Sequence, residues 1–160
     1  MELPESKLIK SEILLREMDL SQDVKMARKS LVRWIALSLG LISQKESRQS
    51  VLLILEALLY YHLKEKREPN YNDLQEYLKG QGEEVNEKTL RYHLTQLKKS
   101  NVIEDARGVY RFAGFHGDNL AEALEQQYRQ RSDAAFVNIR SAVDILKKMH
   151  EDSSGSPETG

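Results

Sequence analysis

Between Asn86 and Ser100 the chain carries a run of side chains of the types that contact phosphates and base edges in protein–DNA complexes. Lysine meets phosphate oxygens, arginine and glutamine make paired hydrogen bonds with guanine and adenine, and threonine and tyrosine bond either group. The candidate residues are Lys88, Thr89, Arg91, Tyr92, Thr95, Gln96, Lys98 and Lys99. Arg107 and Arg111 follow in a short second segment. These residue types predict a nucleic-acid-binding face.

Those side chains need a helix whose other face is buried. Leu90, Leu94 and Leu97 recur at helical spacing, which predicts a helix over Asn86–Ser100. His93 lies in the same inward pattern, so we expect it to be packed and not to contact DNA. Within the helix, the residues expected nearest the bases are Lys88, Arg91, Tyr92, Thr95 and Gln96. Lys98, Lys99, Arg107 and Arg111 are expected to hold the DNA backbone.

Short elements flank this helix on both sides. A preceding helix is predicted to be capped by Asn72 or Asp73 and to end near Lys79, before a glycine-containing break at 80–82. After it, the apolar pattern of 102–104 and 109–112 predicts two strands around a hairpin tip at 105–108, where Arg107 would reach a groove or phosphate.

At these residues the chain resembles the winged helix-turn-helix regulator superfamily. The resemblance rests on a helix with a Thr-x3-His-Leu-x2-Leu pattern, then a polar turn, an aliphatic pair and an acidic residue. Here these are Thr89, His93, Leu94, Leu97, Ser100, Asn101, Val102, Ile103 and Glu104. Asn101 stands where the family usually has glycine, and asparagine tolerates the left-handed conformation. The likeness covers 47–112 and implies DNA binding. It leaves open whether the branch is PadR-like, ArsR-like or MarR-like.

The first 46 residues are predicted to form a helical extension. Apolar residues between Ser6 and Glu17 suit a short amphipathic helix. Ser21 is expected to cap a second helix running to Leu39, with Gly40 as its C-terminal glycine. A nearly all-apolar helix over 47–68 should be the core, stopped by Pro69. With the hairpin it gives a winged helix-turn-helix domain at 47–115.

The region 116–150 is predicted to be a long dimerisation helix beginning at Asp118, because it contains no proline and no glycine after Gly117. Apolar residues three or four apart form a seam too long for one small core to cover, which favours a coiled-coil-like second copy. The seam is Leu120, Leu124, Tyr128, Ala135, Ile139, Ala142, Leu146 and Met149. Residues 151–160, rich in serine and glycine, are expected to be a disordered tail.

The composition excludes several classes of function. The 160-residue chain has no cysteine, which excludes a disulfide scaffold, a thiolate metal site and a cysteine nucleophile. Its four histidines lack ligand spacing and no nucleotide-binding motif occurs, so we expect no metal, cofactor or enzymatic activity. The longest apolar stretch, Val51–Leu63, is shorter than the ~20 residues that span a bilayer. With no signal-peptide pattern at the N-terminus, a cytoplasmic, nucleoid-associated location is expected.

Charge is distributed unevenly along the chain. The formal net charge is −1, yet 86–112 holds six basic and three acidic residues. This argues against bulk coating of nucleic acid and favours one face directed at DNA. A second basic face, formed by Lys25, Arg28, Lys29 and Arg33, is either a solvated surface or a supplementary phosphate contact.

The sequence therefore predicts a mainly α protein with a small β-hairpin wing, flanking N-terminal helices and a long C-terminal dimerisation helix. The expected function is sequence-specific binding of double-stranded DNA at a pseudo-palindromic site, as a homodimeric transcriptional regulator. Alternatives are a winged-helix interaction or assembly module in a multisubunit complex, and a DNA-partition protein that binds centromere-like sites. A small-molecule effector is compatible with this sequence but nothing in it indicates one.

Overall fold

The computed structural model of the chain describes residues 1–45, 49–117 and 119–154, and these are mainly helical. The helices are α1 Gln22–Lys25, α2 Arg28–Ser38, α3 Gln49–Tyr60, α4 Tyr71–Gly80, α5 Glu87–Lys99 and α6 Leu120–Ser154. The strands are β1 Ile103–Ala106 and β2 Val109–Phe112, which pair antiparallel. The predicted mainly helical chain with one hairpin and a long C-terminal helix is confirmed.

Helix α3 is the central element, because apolar side chains surround almost all of it. Ile54, Ala57 and Leu58 are fully buried, and α2, α4 and α5 all pack on this helix. One π-helical turn, Tyr61–Glu65, prolongs α3, and the next residue adopts the left-handed conformation with φ 56°. The helix predicted over 47–68 therefore ends at Glu65, three residues earlier than predicted and at a left-handed residue, not at Pro69; its predicted start lies outside the described residues.

Helix α4 begins with a capping box that differs from the predicted cap. The Asn70 side chain accepts a hydrogen bond from the Asp73 amide (2.8 Å), and the Asp73 carboxylate accepts one from the Asn70 amide (2.9 Å). Asp73 is therefore inside the first turn and Asn72 is not the cap. The Arg67 guanidinium also binds Asp73 at 2.9 Å, which orients the carboxylate and lowers its pKa.

The hairpin has a two-residue turn, tighter than the four-residue tip predicted. Ala106 pairs with Val109, and both residues between them, Arg107 and Gly108, have positive φ (60° and 90°). This is the type I′ geometry that matches the twist of the strands. The Tyr110 amide donates to the carbonyl of Pro69 (2.8 Å), so the segment entering α4 ties the hairpin to the helices.

The N-terminal segment corrects the prediction of an amphipathic helix over 6–17. A 3-10 turn spans Pro4–Leu8, and the chain then runs without helix to Ser21. Arg16 explains the extended path: its Nη1 donates to the carbonyl of Leu37 (2.6 Å) in the last turn of α2 and to that of Ile42 (3.0 Å) beyond it. These carbonyls at and beyond a helix end accept a cationic donor readily, and the long-range bonds replace local helical ones.

The single helix predicted from 22 to 39 is divided in two. Ser21 caps α1 as expected, but Ala27 is extended (φ −137°, ψ 134°) and α2 begins after it. The break lets the preceding chain fold back over α2, where Trp34 Nε1 donates to the Asp19 carbonyl (2.8 Å). Gly40 does follow α2 at φ 70°, and a Cβ there would lie 2.7 Å from the Leu14 carbonyl oxygen.

Helix α6 has 35 residues and is about 52 Å long. Tyr128 Oη donates to the Leu39 carbonyl (2.5 Å) and Arg131 Nη2 to that of Glu12 (2.8 Å), which fixes the first three turns to the domain. The helix continues to Ser154, so predicted disorder from 151 onward is wrong for its first four residues. Residues 155–160 and the predicted helix start at Asp118 lie outside the described residues.

Candidate nucleic-acid interface

Helix α5 has one buried face and one exposed face. At 100° per residue, the buried side chains of Leu90, His93, Leu94 and Leu97 fall on one side of the helix. Six exposed residues centre about 180° away, and we call them the outer stripe. The outer stripe consists of Lys88, Arg91, Tyr92, Thr95, Gln96 and Lys99. All six belong to the set predicted from the sequence, and the predicted burial of His93 is confirmed.

Local hydrogen bonds fix both ends of α5. The Asn86 side chain accepts from the Thr89 amide (2.8 Å), so the helix starts where the sequence predicted. At the other end the Ser100 hydroxyl donates to the Leu97 carbonyl (2.5 Å), and Asn101 turns the chain at φ 65°. The expected left-handed asparagine is confirmed, and it sends the chain directly into β1. The outer stripe therefore sits on a helix held at both ends.

Arg91 is held more firmly than an exposed arginine usually is. Its Nε donates to Glu87 Oε1 at 3.0 Å, and its guanidinium lies 4.1 Å from the ring centroid of Tyr71 at the start of α4. The carboxylate of Glu87 raises the arginine's pKa, while burial raises that of Tyr71. Sequence reasoning missed Tyr71, because nothing in the pattern links two residues on different helices.

Arg107 stands at the exposed tip of the hairpin. It occupies the first position of the type I′ turn, in a left-handed conformation that a non-glycine residue adopts at a cost. The Asp105 carboxylate accepts from the Gly108 amide (2.8 Å) and holds the turn closed. A cation is thus presented at the end of a short, braced arm.

The other predicted contact residues lie elsewhere. Arg111 forms ion pairs with Glu104 (2.6 Å) and Glu68 (3.4 Å), so two carboxylates of its own chain already neutralise its charge. Lys98 is half-buried and lines a 660 Å³ crevice shared with the start of α6. Thr89 is half-buried beside the cap of α5. The structure therefore separates these three residues from the outer stripe, because each is partly buried or paired within its own chain.

The predicted dimerisation seam divides into two parts. Leu120 and Tyr128 are buried in the protomer's own core and Leu124 is half-buried against it, so these three cover the chain that carries them. Beyond them every residue from 133 to 153 is exposed, and we call this part of α6 the shaft. The exposed seam residues of the shaft are Ala135, Ile139, Ala142, Leu146 and Met149. Phe136 and Val143 extend this apolar face.

An apolar groove of about 850 Å³ lies at the foot of α6. The N-terminal segment contributes Ile13 and Leu15 to its walls, α2 contributes Ile35, and α6 contributes Leu124. Leu63, in the π-helical turn after α3, is 56% exposed at its edge. The groove is therefore an uncovered apolar surface at the base of the shaft.

His62 lies beneath the hairpin and is the one described side chain with a buried, unbonded polar atom, Nε2. Its Nδ1 is 2.8 Å from the Leu58 carbonyl oxygen, and its ring packs on Phe112 and Phe115. Burial lowers the pKa of His62, although the Leu58 carbonyl and Glu68 act in the opposite direction. The neutral ring donates from Nδ1 and packs as an apolar group.

The second basic face is also on the surface. Lys25, Arg28, Lys29 and Arg33 are all exposed on α1 and α2. Arg33 Nη2 donates to the Ser30 hydroxyl at 3.2 Å. Its two interpretations, a solvated surface or a supplementary phosphate contact, both remain predictions.

Within the described ranges, no three His, Asp or Glu side chains converge as metal ligands. Among the same residues, no helix combines the length and apolar character needed to cross a bilayer. No family model, curated protein or solved structure matches the chain.

Proposed function

We propose that the protein is a dimeric, sequence-specific double-stranded DNA-binding transcriptional regulator of the winged helix-turn-helix type. The observation that carries this proposal is the outer stripe of α5. Six exposed side chains that suit phosphates and base edges lie together on one face, and the opposite face is buried in the core. A DNA-recognition helix needs one exposed polar face for the groove and one buried face that anchors it to the domain.

The surrounding elements support the proposal. Helices α3, α4 and α5 pack as one unit, and the hairpin follows α5 directly. The major groove is about 12 Å wide and admits one helix, so α5 enters it with the outer stripe against the bases. Arg107 at the hairpin tip then meets a neighbouring phosphate or minor groove. Lys88 and Lys99, as point charges, hold phosphates.

The shaft of α6 supports a dimer. Its apolar seam is exposed over about 30 Å, and helices in proteins draw most of their stability from the packing of an apolar face. Phe136, Ile139, Val143, Leu146 and Met149 are between 48% and 60% exposed. A second copy covers these side chains when two shafts pair about a two-fold axis.

The groove gives that pairing a direction. In an antiparallel pair, the shaft of one copy reaches the foot of α6 in the other, where the groove offers Leu63 and Leu124. The shaft of each copy then packs against the groove of the other copy, so this contact occurs twice, once at each end of the pair. In the proposed dimer, the two copies of α5 read the two halves of a pseudo-palindromic site.

Salt-dependent binding tests the DNA interface without knowledge of the operator. The probe is a fluorescent duplex of mixed sequence, titrated with the full chain from about 50 to 200 mM salt. Each phosphate contact contributes about 0.9 to the slope of log affinity against log salt. Substituting Lys88, Arg91 and Lys99 by Gln removes the two proposed phosphate contacts and a third cation beside them, so it should lower the slope by about 2–3 per protomer.

A matched control removes the same charge elsewhere. Lys7, Lys10 and Lys148 are exposed and lie outside the outer stripe and the seam. Their triple Gln variant should bind as the unsubstituted chain does, apart from a small general charge effect. Equal loss in both triple variants would contradict the assignment of the outer stripe as the DNA-binding face.

One observation favours a second candidate, an interaction module in a multisubunit complex. The shaft and the groove are both apolar surfaces of the kind that bind partner helices. This candidate predicts no shift of any duplex at 50 mM salt together with a heterologous partner on the shaft. Binding to the mixed-sequence duplex decides between the two.

A further inference from the structure

The guanidinium of Arg91 is held on two sides while one edge stays available. Glu87 Oε1 accepts from the Nε–H at 3.0 Å, and the Cζ atom of Arg91 lies over the ring of Tyr71, 4.1 Å from its centroid. The bond to Glu87 uses only Nε, so the two terminal amino groups remain as a fork. The side chain is 58% exposed, and this fork is the part that a ligand can reach.

Tyr71 is itself fixed. It is half-buried at the first position of α4, and its hydroxyl accepts a hydrogen bond from Gln75 Nε2 at 3.3 Å. The capping box of Asn70 and Asp73 sets the start of that helix. The aromatic ring is therefore a rigid platform, and an arginine within about 6 Å of a ring centroid gains a cation–π attraction.

We infer that Arg91 makes a paired hydrogen bond with a guanine, and that Tyr71 and Glu87 position it for that contact. The inference rests on the proposed function and adds the base that each half-site must contain. Guanine presents O6 and N7 in the major groove, a pair of acceptors that matches the arginine fork. Arg91 is also the fifth residue of α5, in the N-terminal part from which a recognition helix reaches base edges.

The alternative role for Arg91 is a phosphate contact, and the structure favours the base. A phosphate tolerates many approach directions and needs no fixed fork, whereas a base edge demands one plane. A side chain already ordered by two partners loses little freedom on binding. Lys88 and Lys99 on the same stripe carry compact charges that suit phosphates better.

Selection of binding sites from a random duplex library tests the inference with the full chain. The unsubstituted protein should enrich a motif with one invariant guanine in each half-site. Arg91→Lys keeps the charge but removes the fork, so it should lower the preference for that guanine about ten- to hundred-fold and leave other positions unchanged. Its salt slope should stay the same, because the charge remains.

Variants of the positioning residues separate this role from general stability. Tyr71→Leu keeps apolar volume and removes the ring face, so it should weaken the preference at the same guanine. Tyr71→Phe loses only the bond to Gln75 and should retain that preference. Glu87→Ala should weaken it too, since the fork is then free to rotate.

Failure of the guanine contact and failure of DNA binding itself would give different results. If Arg91→Lys leaves the enriched motif intact and only Arg91→Ala lowers the salt slope, by about 0.9, then Arg91 contacts a phosphate. That result overturns the guanine contact but leaves sequence-specific DNA binding standing. A motif without guanine overturns it as well. Failure of the unsubstituted chain to enrich any motif overturns sequence-specific binding itself.

Discussion

The outer stripe of α5 and the shaft of α6 are both exposed helix faces, but their chemistry is opposite. The stripe carries cations, hydroxyls and an amide, which water solvates at little cost. The shaft carries aliphatic and aromatic groups, whose exposure costs about 25 cal/mol for each Å². Under the proposed function, we expect the stripe to bind a charged partner with strong salt dependence and the shaft to bind an apolar partner with little salt dependence.

Charges on the shaft should have the largest effect. Ile139→Asp with Leu146→Asp places two carboxylates in the proposed seam, and burying an uncompensated charge costs about 3–5 kcal/mol. We expect the dimer dissociation constant to rise at least about hundred-fold in sedimentation, with weaker DNA binding as the second α5 is lost.

The control for that variant lies on the same helix. Val137 and Ser141 are exposed like the seam residues, but at 100° per residue they lie about 160° and 120° from the centre of the seam. Val137→Asp with Ser141→Asp should leave the dimer intact. Dissociation by both pairs would show that the seam has no special role.

Substitutions on the two faces of α5 should differ next. Leu90 is fully buried, so Leu90→Ala should lower the free energy of unfolding by about 2–5 kcal/mol in urea titrations. Tyr92 is 48% exposed, and Tyr92→Ala should change stability by less than about 0.5 kcal/mol while weakening DNA binding. A large stability loss at Tyr92 would mean that the stripe is structural.

Substitution of Arg107 should have a smaller effect, raising the stability of the fold while weakening DNA binding. Arg107→Gly relieves the left-handed conformation of a non-glycine residue, so it should stabilise the fold by about 1 kcal/mol. The same variant removes a cation from the hairpin tip and should lower the salt slope of DNA binding by about 0.9. An unchanged slope would remove the hairpin tip from the DNA-binding surface.

Acid should act beneath the hairpin and not on the shaft, and we expect this effect to be the smallest. The pKa of His62 is lowered in the folded state by burial, so the unfolded chain binds the proton more readily. The stability from neutral His62 is therefore complete above pH 6.5, the unfolded value, and is lost as pH falls through the folded pKa. His62→Gln should flatten this part of the stability profile. The Asp73 carboxylate, whose pKa Arg67 lowers, contributes stability that is complete above pH 3.8, the unfolded value, and is lost only in more acidic solution.

The sequence was sufficient where local chemistry decides the structure. Asn86 as a cap, Gly40 and Asn101 with positive φ, and the two faces of α5 all follow from short patterns. It was insufficient where distant parts of the chain compete. Arg16 bonds one carbonyl in the last turn of α2 and one beyond it, and these long-range bonds replace a local helix in the N-terminal segment.

The candidate site divides in the same way. The six outer-stripe residues follow from helical periodicity, which specifies a face. Periodicity does not specify which groups the rest of the chain will use, so Arg111 was expected on DNA although Glu104 and Glu68 bind it. The seam residues recur at the same spacing along all of α6, yet Tyr128 is buried in the core of its own chain and Leu146 is exposed.

The most direct test of the central claim is a residue-resolved map of the surface that DNA contacts. Amide spectra of the full chain, recorded with and without a duplex of mixed sequence at low salt, provide it. The account predicts changes concentrated in Lys88–Lys99 and at the Arg107–Gly108 tip, with the shaft signals unaltered. Changes confined to the shaft, or to α1 and α2, would contradict DNA binding by the outer stripe.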